Sequence, residues 1–155
     1  MDKTVESTIV DATPEECYRV ASDFARYPEW AGDIKSVEVL ESDSQGRGIR
    51  VAFRVAAFGR SAAYTLVYDY PTDGGLEMKW HQESADLTSK LDGHYVFTPN
   101  GDGTTQVSYT LEVDLLVPMP GFVKRRAEAK IVHAALKDLK VRTESLSDRG
   151  HVEHR

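Results

Sequence analysis

The chain has a single cysteine, Cys17, so no disulfide can form within it. No stretch approaches the roughly 18 consecutive apolar residues of a transmembrane helix. The opening residues, Met1-Asp2-Lys3-Thr4-Val5-Glu6, lack the apolar segment of a secretory signal. Positive charge is also short: 19 Lys and Arg stand against 25 Asp and Glu, a net charge of −6 at pH 7. A general nucleic-acid binder needs a dominant positive field, so nucleic acid is not expected as a partner. Together these absences favour a cytoplasmic protein with no stable membrane insertion.

Catalytic signatures are missing too. There is no G-x-S-x-G elbow, no P-loop, no G-x-G-x-x-G and no H-E-x-x-H. No cofactor, no metal and no catalytic residue is therefore assigned. Cys17 reads as a small buried filler. His151 and His154 form an H-x-x-H pair, but in a polar stretch read as a disordered tail. His81 and His94 fall on the polar rows of adjacent strands and read as solvent-facing, as does His133. Asp23 reads as a helix cap rather than a base.

What is present suits one domain. The 155 residues are 41% hydrophobic and 28% charged, enough for a core in a globular protein. The longest uninterrupted element is residues 120–146: after Gly121 there is no Gly or Pro until Gly150. Pro118 and Pro120 rigidify its start, and Pro loses no N–H bond at a helix beginning. A helical wheel gathers Val123, Ala127, Ile131, Val132, Ala134, Ala135, Leu136 and Leu139 into an apolar arc, with Glu128 and Asp138 intruding. Arg126, Lys130, His133, Lys137 and Lys140 fall opposite. That basic stripe reads as a solvated face, with docking to an acidic partner or anionic lipid as the alternative.

The rest of the chain reads mostly as strands. Residues 3–11 alternate Val5, Ser7 and Ile9 against Thr4, Glu6 and Thr8. Thr13-Pro14-Glu15-Glu16 then has the form of a capping box with proline at the first helical position. Phe24, Tyr27 and Trp30 concentrate aromatics in a second short helix or turn, as core packing or as a pocket wall. From residue 34 to 116, alternating runs are punctuated by Asp43-Ser44-Gln45-Gly46, Gly59-Arg60, Pro71-Thr72-Asp73-Gly74-Gly75 and Pro99-Asn100-Gly101-Asp102-Gly103. This predicts an antiparallel meander whose apolar face only the last helix is long enough to cover. The domain is expected over residues 1–146, with 147–155 as the polar tail.

This order, strand, two short helices, meander and long helix, resembles the α+β helix-grip fold of the START-like superfamily. In that fold a curved seven-stranded antiparallel sheet wraps one C-terminal helix. The chain is more closely similar to the bacterial polyketide cyclase/dehydrase and lipid-transport (SRPBCC) family. The residues that carry the likeness are Ile9-Val10-Asp11-Ala12-Thr13-Pro14-Glu15 and Asp23-Phe24-Ala25-Arg26-Tyr27-Pro28-Glu29-Trp30, the latter like the family's D-F-x-x-Y-P-x-W signature. Gly93-His94-Tyr95, Gly103-Thr104-Thr105 and Pro118-Met119-Pro120-Gly121-Phe122 add to it.

The resemblance implies a cavity between sheet and helix. The inward rows carry Phe53, Tyr64, Tyr68, Trp80, Tyr95, Tyr109 and Leu111, and a buried phenol needs a hydrogen-bond partner. Close helix–sheet packing with a dry core is the alternative. Trp30, Phe53, Tyr64, Trp80, Tyr95 and Tyr109, with Phe122 and Ile131 from the helix, are the expected ligand-binding residues. The expected function is binding of a hydrophobic small molecule such as a lipid, quinone or polyketide, for transport or sequestration. A polyketide cyclase, aromatase or dehydratase is the enzymatic alternative, and a membrane-surface or interaction module the third. A monomer and a homodimer remain equally open.

Overall fold

Period-two alternation between strong turns produces seven strands in one antiparallel sheet. The computed structural model describes residues 3–57 and 59–153, with side chains described as far as Ser147. The strands are β1 (Lys3–Val10), β2 (Ile34–Ser42), β3 (Gly48–Ala57), β4 (Arg60–Asp69), β5 (Glu77–Ala85), β6 (Thr88–Pro99) and β7 (Thr105–Leu115). Their order is β1-β7-β6-β5-β4-β3-β2, so β2 to β7 form a meander and β1 joins its far edge. The register runs from Lys3 opposite Glu112 to Val10 opposite Thr105. The turn chemistry is local: Asp43 Oδ1 accepts the N–H groups of Gln45 and Arg47 at 2.9 Å each. Gly46 supplies the left-handed step at φ 83°.

Between β1 and β2 lie α1 (Pro14–Ser22), a 3-10 turn (Phe24–Arg26) and α2 (Tyr27–Trp30). The capping box forms as expected: Glu16 N–H donates to Thr13 Oγ1 at 3.2 Å, and Thr13 N–H to Glu16 Oε1 at 2.9 Å. Asp23 departs from expectation. It precedes the 3-10 turn without capping it, and its carboxylate pairs with Arg26 at 3.3 Å instead.

The last helix, α3 (Gly121–Glu153), is 33 residues long and continues past Leu146, with Ser147 buried. The disordered-tail expectation concerns residues 147–155, of which His154 and Arg155 lie outside the described residues. The side chain of His151 lies outside them as well, so the His151/His154 pair is not described. α3 packs on β1, α1 and β7. Its buried stripe is Glu128, Val132, Leu136, Leu139, Thr143 and Ser147, at helical spacings of three and four. Thr143 Oγ1 donates to the Leu139 carbonyl at 2.7 Å, so that hydroxyl is satisfied within the helix.

One feature of the helical wheel is corrected. Val123 and Ile131, on the expected apolar arc, are exposed, whereas Glu128, which intruded on that arc, is buried with it. The reason is geometric: α3 rests on one edge of the sheet rather than along its centre, so its contact stripe is rotated from the apolar average. On β1 the inward side is Thr4, Glu6, Thr8 and Val10, while Val5 and Ile9 face outward. Polar ties fasten the C-terminal half of α3. Lys140 Nζ donates to the Ile9 carbonyl at 2.6 Å, Glu144 accepts the Asp11 N–H at 2.8 Å, and Arg142 pairs with Glu29 at 2.9 Å.

This end of the molecule is filled. Val10, Cys17, Val20, Ala21, Phe24, Phe97 and Val107 are buried in one cluster. Thr105 Oγ1 donates to the Ala12 carbonyl at 2.7 Å. Cys17 is the small buried residue expected, and burial pushes its thiol up to about 11.

Candidate functional cavity

Strand alternation sends Phe53, Tyr64, Tyr68, Trp80, Tyr95 and Tyr109 to the concave face, and register sets them side by side. Phe53 lies opposite Tyr64, Tyr68 opposite Trp80, and Tyr95 opposite Tyr109. Cross-strand pairs of this kind are the unit of sheet stabilisation. Phe53 and Tyr64 stack with centroids 5.0 Å apart, Tyr68 and Trp80 lie 5.6 Å apart, and Tyr95 meets Tyr109 edge-on at 4.6 Å. Trp80 also contacts both Tyr95 and Tyr109, at 5.5 and 5.7 Å. The result is a continuous aromatic floor from β3 to β7.

Gly93 is what lets the floor lie flat. It pairs with Trp80 in register, and a Cβ placed on it would overlap the indole. Close approach of a ring to the backbone requires glycine here.

Above the floor is a cavity of about 530 Å³, within the usual range for small-molecule sites of roughly 300–1,000 Å³. Trp30, Ala31, Gly32, Asp33 and Ile34 wall it on one side. Ala127, Lys130, Ile131, Ala134, Ala135 and Asp138 of α3 wall it on another. The space has a clear origin in sequence. Because α3 packs on the β1–β7 edge, alanines rather than large side chains face β3 to β5, and Ala56, Ala57, Ala62, Ala63 and Ala85 line the opposing strand ends. Lys130 and Ile131 are both lining and exposed, so the cavity opens to the surface beside them.

The polar groups in this apolar space are mainly phenols. Tyr27 donates to the Ala21 carbonyl and is satisfied. Among the described residues, the hydroxyls of Tyr64, Tyr68, Tyr95 and Tyr109 have no hydrogen-bond partner. Burial raises all five well above the ordinary phenol value, so each is a neutral donor at physiological pH. At the helix side, Asp138 Oδ2 accepts the Gly32 N–H at 3.3 Å.

Seven of the eight residues expected at a ligand site line this cavity: Trp30, Phe53, Tyr64, Trp80, Tyr95, Tyr109 and Ile131. Phe122 does not. It is 61% exposed on the first turn of α3, which projects beyond the part of the helix that closes over the sheet. Lys130, expected on the solvated basic stripe, is exposed and belongs to the lining as well. Tyr27, read as core or pocket wall, joins the lining, and Asp138 joins it without having been singled out for it. Asp138 left a signal, an acid on the apolar side of the wheel. The aromatic segment after α1 serves both of its readings: Phe24 is core, packed 4.7 Å from Tyr68, whereas Tyr27 and Trp30 line the cavity.

The described histidine side chains lie elsewhere. His81 is exposed, His94 sits 2.8 Å from Glu77 opposite Lys79, and His133 sits 3.4 Å from Glu6. Among the described residues no cluster of His, Cys, Asp and Glu could hold a metal ion, and no helix is long and apolar enough to cross a membrane.

Residues 1–144 match the family described as polyketide cyclase / dehydrase and lipid transport. No curated protein sequence matches the chain. Solved structures share the fold. A START superfamily protein from Mycobacterium smegmatis aligns with a TM-score of 0.86 at 24% identity, covering 93% of this chain and 98% of that one. TTHA0849 from Thermus thermophilus aligns at 0.80 and 23% identity, covering 94% and 99%. The Zhui aromatase/cyclase from Streptomyces sp. R1128 aligns at 0.79 and 17% identity, covering 92% and 93%.

Proposed function

The chain belongs to the polyketide cyclase/dehydrase and lipid-transport family, and from that premise we propose that it binds a hydrophobic small molecule between α3 and the sheet. The observation that carries this reading is the pairing of an aromatic-floored cavity of about 530 Å³ with four phenols that have no protein partner among the described residues. These hydroxyls line the cavity, so the site favours an occupant that supplies oxygen acceptors. The ligand class is therefore a largely apolar molecule bearing carbonyl, hydroxyl or quinone oxygens: an oxygenated lipid, a quinone or a polyketide. Trp30, Phe53, Tyr64, Trp80, Tyr95, Tyr109 and Ile131 contact its body.

A polyketide cyclase draws on the same phenols, whose oxygens could hold a poly-β-ketone in a folded pose. Cyclisation also needs a group that takes a proton. Phenols raised by burial remain donors near neutrality, no imidazole among the described residues lines the cavity, and the carboxylates that do line it are Asp33 and Asp138, the latter accepting the Gly32 N–H. Binding, which needs no proton acceptor, is the reading the site supports best, with transport or sequestration as its use.

Non-denaturing mass spectrometry of the purified chain, followed by solvent extraction, tests the proposal. A stoichiometric adduct of a few hundred daltons is the expected result. Ala134→Phe should abolish the adduct by filling the space, with little loss of stability. In a dry, well-packed core the same change would overpack and cost about 1–3 kcal/mol, with no ligand to lose. Turnover of a poly-β-ketone above the buffer rate would instead establish the cyclase.

A further inference from the structure

Two features coincide at the rim of the cavity. First, it is apolar: Leu116 is 58% exposed, Phe122 61%, and Val123 and Ile131 37% each, all at or near the start of α3. Leu116 is held beside the mouth by its N–H, which donates to the Leu87 carbonyl at 2.8 Å, and Leu87 lines the cavity. Second, it is positive in a chain of net charge −6. From Gly121 to Val141, the exposed positions of α3 include Arg125, Arg126, Lys130 and Lys137 and no carboxylate.

Three of the acids around this rim are engaged. Asp114 pairs with Lys124 at 2.7 Å, and Asp86 accepts the Ala63 N–H at 2.8 Å. Asp138 is bonded to Gly32, about two turns beyond Lys130 at 3.6 residues per turn. Asp33, in that same loop rather than on α3, is exposed. Glu144, past Val141, pairs with Lys140 at 2.7 Å.

We propose that this rim docks on a bilayer carrying anionic lipid, with Phe122, Val123, Leu116 and Ile131 entering the interface and Arg125, Arg126 and Lys130 meeting the headgroups. Large exposed apolar groups flanked by cations on one helix face are the pattern of interfacial binding. A protein partner of mixed surface charge would not need four exposed cations with no exposed acid among them. Lys130 and Ile131 belong to both surfaces, so a bilayer docked here lies against the cavity opening. The docking surface does not require a filled cavity and stands apart from the ligand proposal.

The test is co-sedimentation of the full chain with vesicles of phosphatidylcholine alone or mixed with phosphatidylglycerol. Binding is expected only with phosphatidylglycerol, weakening as salt rises. Phe122→Ser should weaken it by about tenfold or more, given the apolar area withdrawn from the interface. Arg126→Glu should weaken it by roughly fivefold or more. All these positions are exposed, so an unchanged melting temperature will show that the variants fold. Equal binding to both vesicles, no binding to phosphatidylglycerol at low salt, or full binding by either variant would overturn the proposal. Mass spectrometry of the same preparations keeps the two proposals separable, because an adduct reports the cavity whether or not vesicles bind.

Discussion

The two ends of the space under α3 are built from the same sheet and the same helix, yet one is solid and the other hollow. At the α1 end, side chains of ordinary size meet, and polar groups find partners: Thr105 on Ala12, Thr143 on Leu139, Glu144 on Asp11. At the other end, alanines face aromatic rings, and phenols are left without protein partners among the described residues. The difference lies neither in fold nor in hydrophobicity. It lies in residue volume at a few helix and strand-end positions, and in whether each polar atom is matched.

The strongest way to break this contrast is to make paired changes on α3. Leu139 is fully buried at the solid end, and Leu139→Ala should cost about 2–5 kcal/mol in urea denaturation. Ala134→Phe, less than two turns away at the hollow end, should be nearly neutral. Equal losses would erase the distinction.

A smaller effect tests the floor. Gly93→Ala drives a methyl into the Trp80 ring and should cost about 1–3 kcal/mol while displacing the indole. Unchanged stability together with unchanged ligand uptake would show that the ring does not rest on Gly93.

The smallest effect near neutrality is titration, and it sharpens the comparison at alkaline pH. The cavity tyrosines have folded values raised above the ordinary phenol value of about 10. Their contribution to stability is complete below that value and is lost as pH rises through the folded values. Cys17 behaves likewise between 9.0 and about 11. Phenolate absorbance from these tyrosines should therefore appear only as the protein unfolds, with Cys17 becoming reactive alongside it. Phenolate formation near pH 10 in a protein whose Cys17 stays protected would mark the hollow end as open to bulk water.

Much of this arrangement was legible in the sequence, because strands with one buried face carry a strict period of two. Phe53, Tyr64, Trp80, Tyr95 and Tyr109 could be placed on one face without coordinates, and Thr13 to Glu16 announced a cap. Elements lacking that regularity were misread. α3 touches the sheet along one edge, so its buried stripe includes Glu128, Thr143 and Ser147 and leaves Val123 and Ile131 outside. A wheel averages over the whole helix and cannot locate the edge against which it lies. Phe122 was expected at the ligand site with Ile131, although it is exposed on the first turn of α3. Asp23 had the right residue type for a cap, but Arg26 offered its carboxylate a nearer partner. Lys130 was the hardest to place, since a residue at a cavity rim satisfies the wheel's rule for solvent and lines the site as well.

The chain contains two tryptophans, Trp30 and Trp80, and both line the cavity. Ultraviolet emission excited at the indole band therefore comes from the floor and one wall of a single chamber, with no contribution from indoles elsewhere. An occupant with quinone or conjugated-ketone character would quench that light, and a saturated lipid would shift its colour by displacing solvent. The protein thus carries an intrinsic optical gauge of what it holds.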